Sequence, residues 1–176
     1  MIRECAVSFE KLFSYEFTVK ISKSDHFKNV HVNFDPSDFF HLAGLHKLGN
    51  LRISGSKRDM FYKILTDNSL CNRIESSPKY NLIEDRVLLL SKLRTILERN
   101  FSIYSYKKNC NYWSKISADY LIKSKSSKGY SYLFLKERNG QFYVCASIFN
   151  DSRDYAVNLK PYKIVYKKFI KKCAQL

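Results

Sequence analysis

Between residues 116 and 149 apolar and polar side chains alternate with a period of two, interrupted by Asn139-Gly140. This pattern limits the chain more than any other feature. ISADYLIKS (116–124), YSYLFLKER (130–138) and QFYVCASIF (141–149) read as strands. Asn-Gly between two of them is the sequence of a two-residue hairpin turn. KIVYKKFI (163–170) is a further strand, so the C-terminal part is an antiparallel sheet.

Before residue 100 the period is mostly helical. ECAVSFEKLF (4–13) forms a short amphipathic helix. YEFTVKI (15–21) and NVHVNF (29–34) alternate, and SKSDHFK between them supplies turn residues, so a hairpin is expected. In DPSD (35–38), Asp35 caps a helix, Pro36 suits its first position and Asp38 faces the positive end of its dipole. That helix runs through FFHLAGLHKL to about Gly49. DMFYKILTD (59–67) and LIEDRVLLLSKLRTILERN (82–100) are helical, the latter with Leu89, Leu93, Ile96 and Leu97 on one stripe. The expected class is α+β: N-terminal helices and a hairpin packed on a C-terminal antiparallel sheet. With 176 residues, no internal repeat and no linker, the chain is read as a single domain. Residues 1–100 are its hairpin and helical part, and 101–176 its basic sheet.

Charge narrows the function. The chain carries 31 Lys+Arg against 16 Asp+Glu, a net charge of +15. A field of that sign draws polyanions, nucleic acid first and an anionic membrane surface second; a merely solubilising surface is the bland alternative. Residues 101–176 hold 15 basic and 4 acidic side chains, so the basic face belongs mainly to the sheet. Tyr104, Tyr106, Tyr112, Trp113, Tyr130, Tyr143, Tyr162 and Tyr166 interleave with these cations. Lysine beside tyrosine suits single-stranded RNA, although strands also favour aromatic residues for packing. Cys5, Cys71, Cys110, Cys145 and Cys173 have no CxxC spacing, and no apolar run is long enough for a bilayer. Reduced thiols and a cytoplasmic location are expected, with no membrane.

HLAGLHKL (41–48) holds two of the four histidines. On a continuous helix His41 and His46 stand about 140° apart and share no face. No glutamate follows His41 and no third ligand is evident, so a metal site is not expected. His46 falls on the stripe of Phe39, Leu42 and Ala43 and reads as a core histidine more readily than a catalytic one. His41, near Asp38, Leu45 and Leu48, sits at the edge of that stripe, where one ring nitrogen can reach a cleft and exchange protons near neutral pH. Gly44 weakens the middle of the helix, which points to a close approach of backbone or ligand there.

The order of these segments resembles the fourth group of the phage-associated barnase–EndoU–colicin–RelE-like nucleases. The matching stretches are AVSFEKLFSYEFTV, FFHLAGLHKL, KISADYLI and FYVCASIFNDSRDYAVNLKPYKIVYKKFI. The chain departs from the group's usual text at SIFN (147–150) and at NLKPY (158–162). The resemblance implies metal-independent cleavage of RNA by attack of the 2′-OH on the adjacent phosphorus, with no cofactor required. It places His41, His46, Ser147, Asp154 and Tyr155 at motif positions: His41 as base or acid, Ser147 as a donor to phosphate, Tyr155 as donor or stacking platform. Asp154 reads as a turn or ion-pair residue before a base. Lys123 and Lys160 are phosphate contacts chosen from charge and from their places at strand ends. The expected partners are RNA and an acidic antitoxin or inhibitor, in a toxin or defence effector of phage or mobile-element origin. Two other classes stay open: a non-catalytic nucleic-acid-binding module on the same fold, and an interaction protein whose basic face meets an acidic partner.

Overall fold

The computed structural model describes residues 1–49, 54–107, 114–127, 129–140 and 142–172. The elements follow in chain order. Helix α1 is Ile2–Glu10, then come strands β1 (Tyr15–Lys23) and β2 (His26–Asn33) and helix α2 (Pro36–Leu42). Helices α3 (Lys57–Thr66), α4 (Asn68–Glu75), α5 (Glu84–Ser91) and α6 (Leu93–Glu98) follow. The last five are strands: β3 (Ser102–Ser105), β4 (Tyr120–Ser126), β5 (Gly129–Arg138), β6 (Phe142–Asp151) and β7 (Pro161–Lys171). Of the residues singled out above, Tyr112, Trp113, Cys110 and Cys173 lie outside the described ones.

The fold is α+β, as the periods indicate. The strands lie in the order β1-β2-β6-β5-β4-β3-β7, and β7 returns to pair with β1. The N-terminal hairpin is thus built into the sheet. Its β2 joins β6 through one parallel pairing, Val32 to Tyr143 and Asn33 to Val144, while the other pairings are antiparallel. The ring closes through two short junctions, two residue pairs between β2 and β6 and two between β3 and β7.

The β1–β2 and β5–β6 hairpins use turns with two residues in the left-handed region. Asn139 and Gly140 have φ of 56° and 67°, and Ser24 and Asp25 have 47° and 63°. Mirror-image turns of this kind match the right-handed twist of the strands they connect. The alternation of YEFTVKI is realised, with Phe17, Val19 and Ile21 all buried.

One core joins the inner side chains of the sheet to the inner faces of the helices. Phe9 of α1 is a central piece, with its ring centroid 5.4–6.3 Å from those of Phe13, Phe34, Phe39 and Phe61. A smaller cluster of Tyr104, Tyr106, Leu121, Tyr132, Phe134 and Tyr155 covers the other side of β4 and β5.

Two helices expected to be continuous are broken. The 82–100 stretch divides at Lys92, whose N–H bonds back three residues to the Leu89 carbonyl in a tightened turn. Leu93 and Leu97 are still buried. The 36–49 stretch ends at Leu42, and a short 3₁₀ turn, Leu45–Lys47, follows.

Replacing Phe9 by Ala removes a fully buried ring from this aromatic cluster. We expect a loss of about 3–5 kcal/mol in denaturant unfolding, with the slope unchanged.

Candidate active site

The break in the second helix comes from Gly44. Its φ of 80° lies in the left-handed region, where a side chain is strained. A Cβ at this position would also stand 3.0 Å from both Arg86 Cδ and Ile83 Cγ2 of the α5 segment. Glycine therefore does two things here: it reverses the chain after α2, and it lets α5 pack against the reversal.

The reversal changes where the histidines go. On a continuous helix they would point apart, but here the His41 and His46 ring centroids are 5.4 Å apart. The Phe40 ring lies beside both, at 5.4 and 6.3 Å. His46 is exposed and so is not a core histidine; His41 is exposed too. The helix period carries past Gly44 only if the helix does, and that is why the stripe assignment of His46 fails.

Cations surround the pair. Lys57, at the start of α3, places its Nζ 2.7 Å from His41 Nε2, with the ammonium donating to the unprotonated ring nitrogen. A capping box holds that end of α3: Asp59 N–H donates to Ser56 Oγ, and Ser56 N–H donates to Asp59. Partial burial, then the charge of Lys57, holds the His41 imidazolium below its usual range of stability. For His46 the causes are partial burial, then the charges of His41, Arg86 and Lys47. Both rings are therefore biased towards the neutral form at pH 7.

Arg86 adjoins the pair. It lies in the first turn of α5, its stem beside Gly44, and its guanidinium stands 5.5 Å over the Phe149 ring of β6. Among the described residues no hydrogen bond or carboxylate engages it. A half-buried guanidinium without a counter-ion is poised for an anion. Arg86, unlike the two imidazoles, lines a cleft of about 370 Å³, together with Lys47, Asp85, Phe149, Asp151, Arg153 and Tyr155.

The other motif positions approach this cleft to different degrees. Ser147 is two residues before Phe149 and so projects from the same side of β6. It lies just past a bulge, because Phe134 pairs with Ser147 but Leu135 pairs with Cys145, leaving Ala146 as the extra residue. Bulges re-aim strand side chains in this way. Tyr155 lines the cleft, but its ring is buried against Tyr132, Phe134 and Phe149, at 4.9, 5.6 and 5.2 Å. It offers its hydroxyl, 3.4 Å from Asp151, and no open face. Asp151 is held below the usual carboxylate range, first by Arg153, which clasps both its oxygens.

Lys123 and Asp154 belong to each other. Their ion pair measures 2.9 Å, and the ammonium also stands 3.9 Å over the Tyr130 ring. Lys123 is thus neutralised locally, and Asp154, as a turn residue, accepts from the Ala156 N–H. Lys160 is exposed just ahead of β7. The sequence reading missed Lys57 and Arg86. SKRD at 56–59 carries the capping-box signature and marks the first, while Arg86 has only its place near a helix start.

Among the described residues no three His, Cys, Asp or Glu side chains form a group suited to a metal, and no helix is long and apolar enough to cross a membrane. Cys5, Cys71 and Cys145 are free and buried.

Gly44→Ala adds left-handed strain to two 3.0 Å contacts. We expect it to cost about 1–2 kcal/mol or more in denaturant unfolding, and to alter the His41 and His46 ring resonances in NMR spectra.

A family model described as phage-Barnase-EndoU-ColicinE5/D-RelE like nuclease4 matches residues 1–174. Comparisons with curated proteins and with solved structures give no match.

Proposed function

The chain belongs to this family of nucleases, and on that premise we propose that it is a metal-independent endoribonuclease working at the His41–His46 pair beside Arg86. Membership gives a nucleic-acid substrate. The choice of RNA and of mechanism rests on one observation: two imidazoles 5.4 Å apart, with three cations bearing on them.

Cleavage of RNA through its own 2′-OH needs two proton transfers and one charge stabiliser. A neutral imidazole takes the 2′-OH proton as the 2′-oxygen bonds to phosphorus. The bond from phosphorus to the 5′-oxygen breaks, and that oxygen takes a proton from the partner imidazolium. The products are a 2′,3′-cyclic phosphate and a free 5′-hydroxyl. His41 and His46 divide the two tasks, and their coupling makes the titration a property of the pair.

Arg86 is the phosphoryl clamp: its planar fork suits two phosphate oxygens, and among the described residues no hydrogen bond engages it. Ser147, on the Phe149 side of β6, is a further donor, while the Tyr155 hydroxyl already donates to Asp151. Lys57 holds the Nε2 lone pair of His41. An arriving phosphate attracts that ammonium and frees the ring nitrogen, so substrate itself arms the base. The charges acting on the two rings are positive, a poor environment for a divalent cation and a good one for a phosphate. Lys160 is a surface contact further along the strand, while Lys123 is occupied by Asp154 and contributes less. A basic cleft of this kind also suits an acidic inhibitor, which fits a toxin or defence effector kept in check by its partner.

The test is incubation of purified protein with mixed single-stranded RNA in EDTA. Cleavage leaving 2′,3′-cyclic phosphate ends is expected. His41→Ala should lower the rate by about 10²–10⁴. Salt-sensitive binding without cleavage would sink the ribonuclease and leave a binding module.

A pH profile tests the proton-transfer assignment. Both imidazoles are held below their ordinary value, so the population with one ring neutral and one protonated peaks below pH 6.5. The optimum of kcat/KM should lie on that side. Lys57→Met removes a charge that lowers the His41 pKa, so the acid limb should move to higher pH. An acid limb unmoved in Lys57→Met would count against His41 as the titrating group.

A further inference from the structure

At the turn of the β1–β2 hairpin lies a second hollow, of about 360 Å³. Tyr120 of β4 and Tyr162 of β7 line it, their ring centroids 6.1 Å apart, and Phe27 of β2 stands on its rim. Phe27 is 62% exposed, a large apolar ring left in water at a turn. Four-residue geometry alone does not call for a phenylalanine there.

Lysines are set over these rings. Lys23 Nζ is 5.8 Å from the Tyr162 centroid, Lys20 Nζ is 5.0 Å from that of Phe27, and Lys28 Nζ is 5.4 Å from that of Tyr120. Lys28 also donates to the Tyr143 hydroxyl at 3.0 Å, which fixes its position and favours its charged form. His26 completes the wall, and no carboxylate lines this hollow among the described residues. Asp25 lines the neighbouring groove, as does Lys163.

Open ring faces beside fixed ammonium groups are what a strand of unpaired nucleotides requires. Bases stack on the rings, and phosphates draw the lysines from them. An acidic protein would engage the lysines but leave the ring-lined hollow unused. We infer that this hollow is a second binding site for the substrate strand, in which an unpaired base stacks on Phe27 and Tyr162 while Lys23 and Lys28 hold the flanking phosphates. The inference rests on the nuclease reading above. The eight residues of β2 separate the hairpin turn from the start of α2, about 23 Å at strand rise. The two sites therefore suit separate points of one extended strand.

The experiment compares the full chain with the double variant Phe27→Ser, Lys23→Gln; both positions are exposed, so folding should survive. Binding of a labelled single-stranded RNA is followed by fluorescence anisotropy across a salt series. In parallel, 4-thiouridine in the same RNA is photo-cross-linked and the peptides are mapped. Wild type should bind, and the double variant should lose roughly fivefold to a hundredfold in affinity, the range expected for one stacked base. Its plot of log affinity against log salt should become shallower by about 0.7, for one lost phosphate contact. Cross-links should map to peptides containing Phe27 and Tyr162. Wild-type affinity in the double variant, with cross-links confined to the α2–α5 cleft, would overturn the second site and leave the nuclease reading intact. Unchanged RNA affinity beside lost binding of polyglutamate would overturn it in favour of an acidic protein partner. Failure of the wild type to bind any single-stranded RNA would overturn both this site and the ribonuclease proposal.

Discussion

The close approach of Gly44 to Ile83 and Arg86 governs the functional half of this structure. A left-handed glycine ends α2 and turns the chain back, and the space where a Cβ would stand is filled by α5. From this single contact follow the pairing of two imidazoles, the placing of a half-buried arginine beside them, and a cleft walled by β6. Each component alone is ordinary. On a continuous helix His41 and His46 would point apart, and a side chain at position 44 would collide with the stem of Arg86. The glycine makes them neighbours.

Electrostatics in the cleft then follow from packing. Lys47, Lys57 and Arg86 crowd positive charge around rings that burial already biases towards neutrality. Proteins usually balance half-buried cations with carboxylates, as Lys123 is balanced by Asp154 and Arg138 by Asp38. Arg86 departs from that habit. A half-buried guanidinium that no carboxylate engages among the described residues costs stability, which a bound anion would offset.

Much of the scaffold was legible in the sequence. The strands of 120–151, the Asn139-Gly140 turn and the Asp35-Pro36 helix start follow from period, turn chemistry and capping, which are local. β3 was not read, since four residues are too few to display an alternation, and neither was α4. The parallel junction of β2 with β6 depends on residues more than a hundred positions apart, which no local pattern records. The site was legible only in part. FFHLAGLHKL points to His41, and Gly44 is visible as a misfit in a helix. Yet the helical wheel separates the two histidines, because a wheel assumes the helix continues. The one glycine that invalidates this assumption cannot be distinguished, by sequence alone, from a tolerated glycine. Tyr155 shows the opposite error: a motif tyrosine whose ring is spent on packing, leaving only its hydroxyl at the cleft.

The most direct measurement is an NMR titration of the His41 and His46 ring protons, in the wild type and in His41→Ala. The two rings stand side by side among cations, and the charge of His41 lowers the affinity of His46 for a proton. Both should therefore titrate below pH 6.5, and the His46 midpoint should rise when His41 is replaced, since a neighbouring charge is lost. Two independent titrations at the ordinary value, with His46 indifferent to the loss of His41, would mean that the rings do not share a site, and the catalytic pair would not exist.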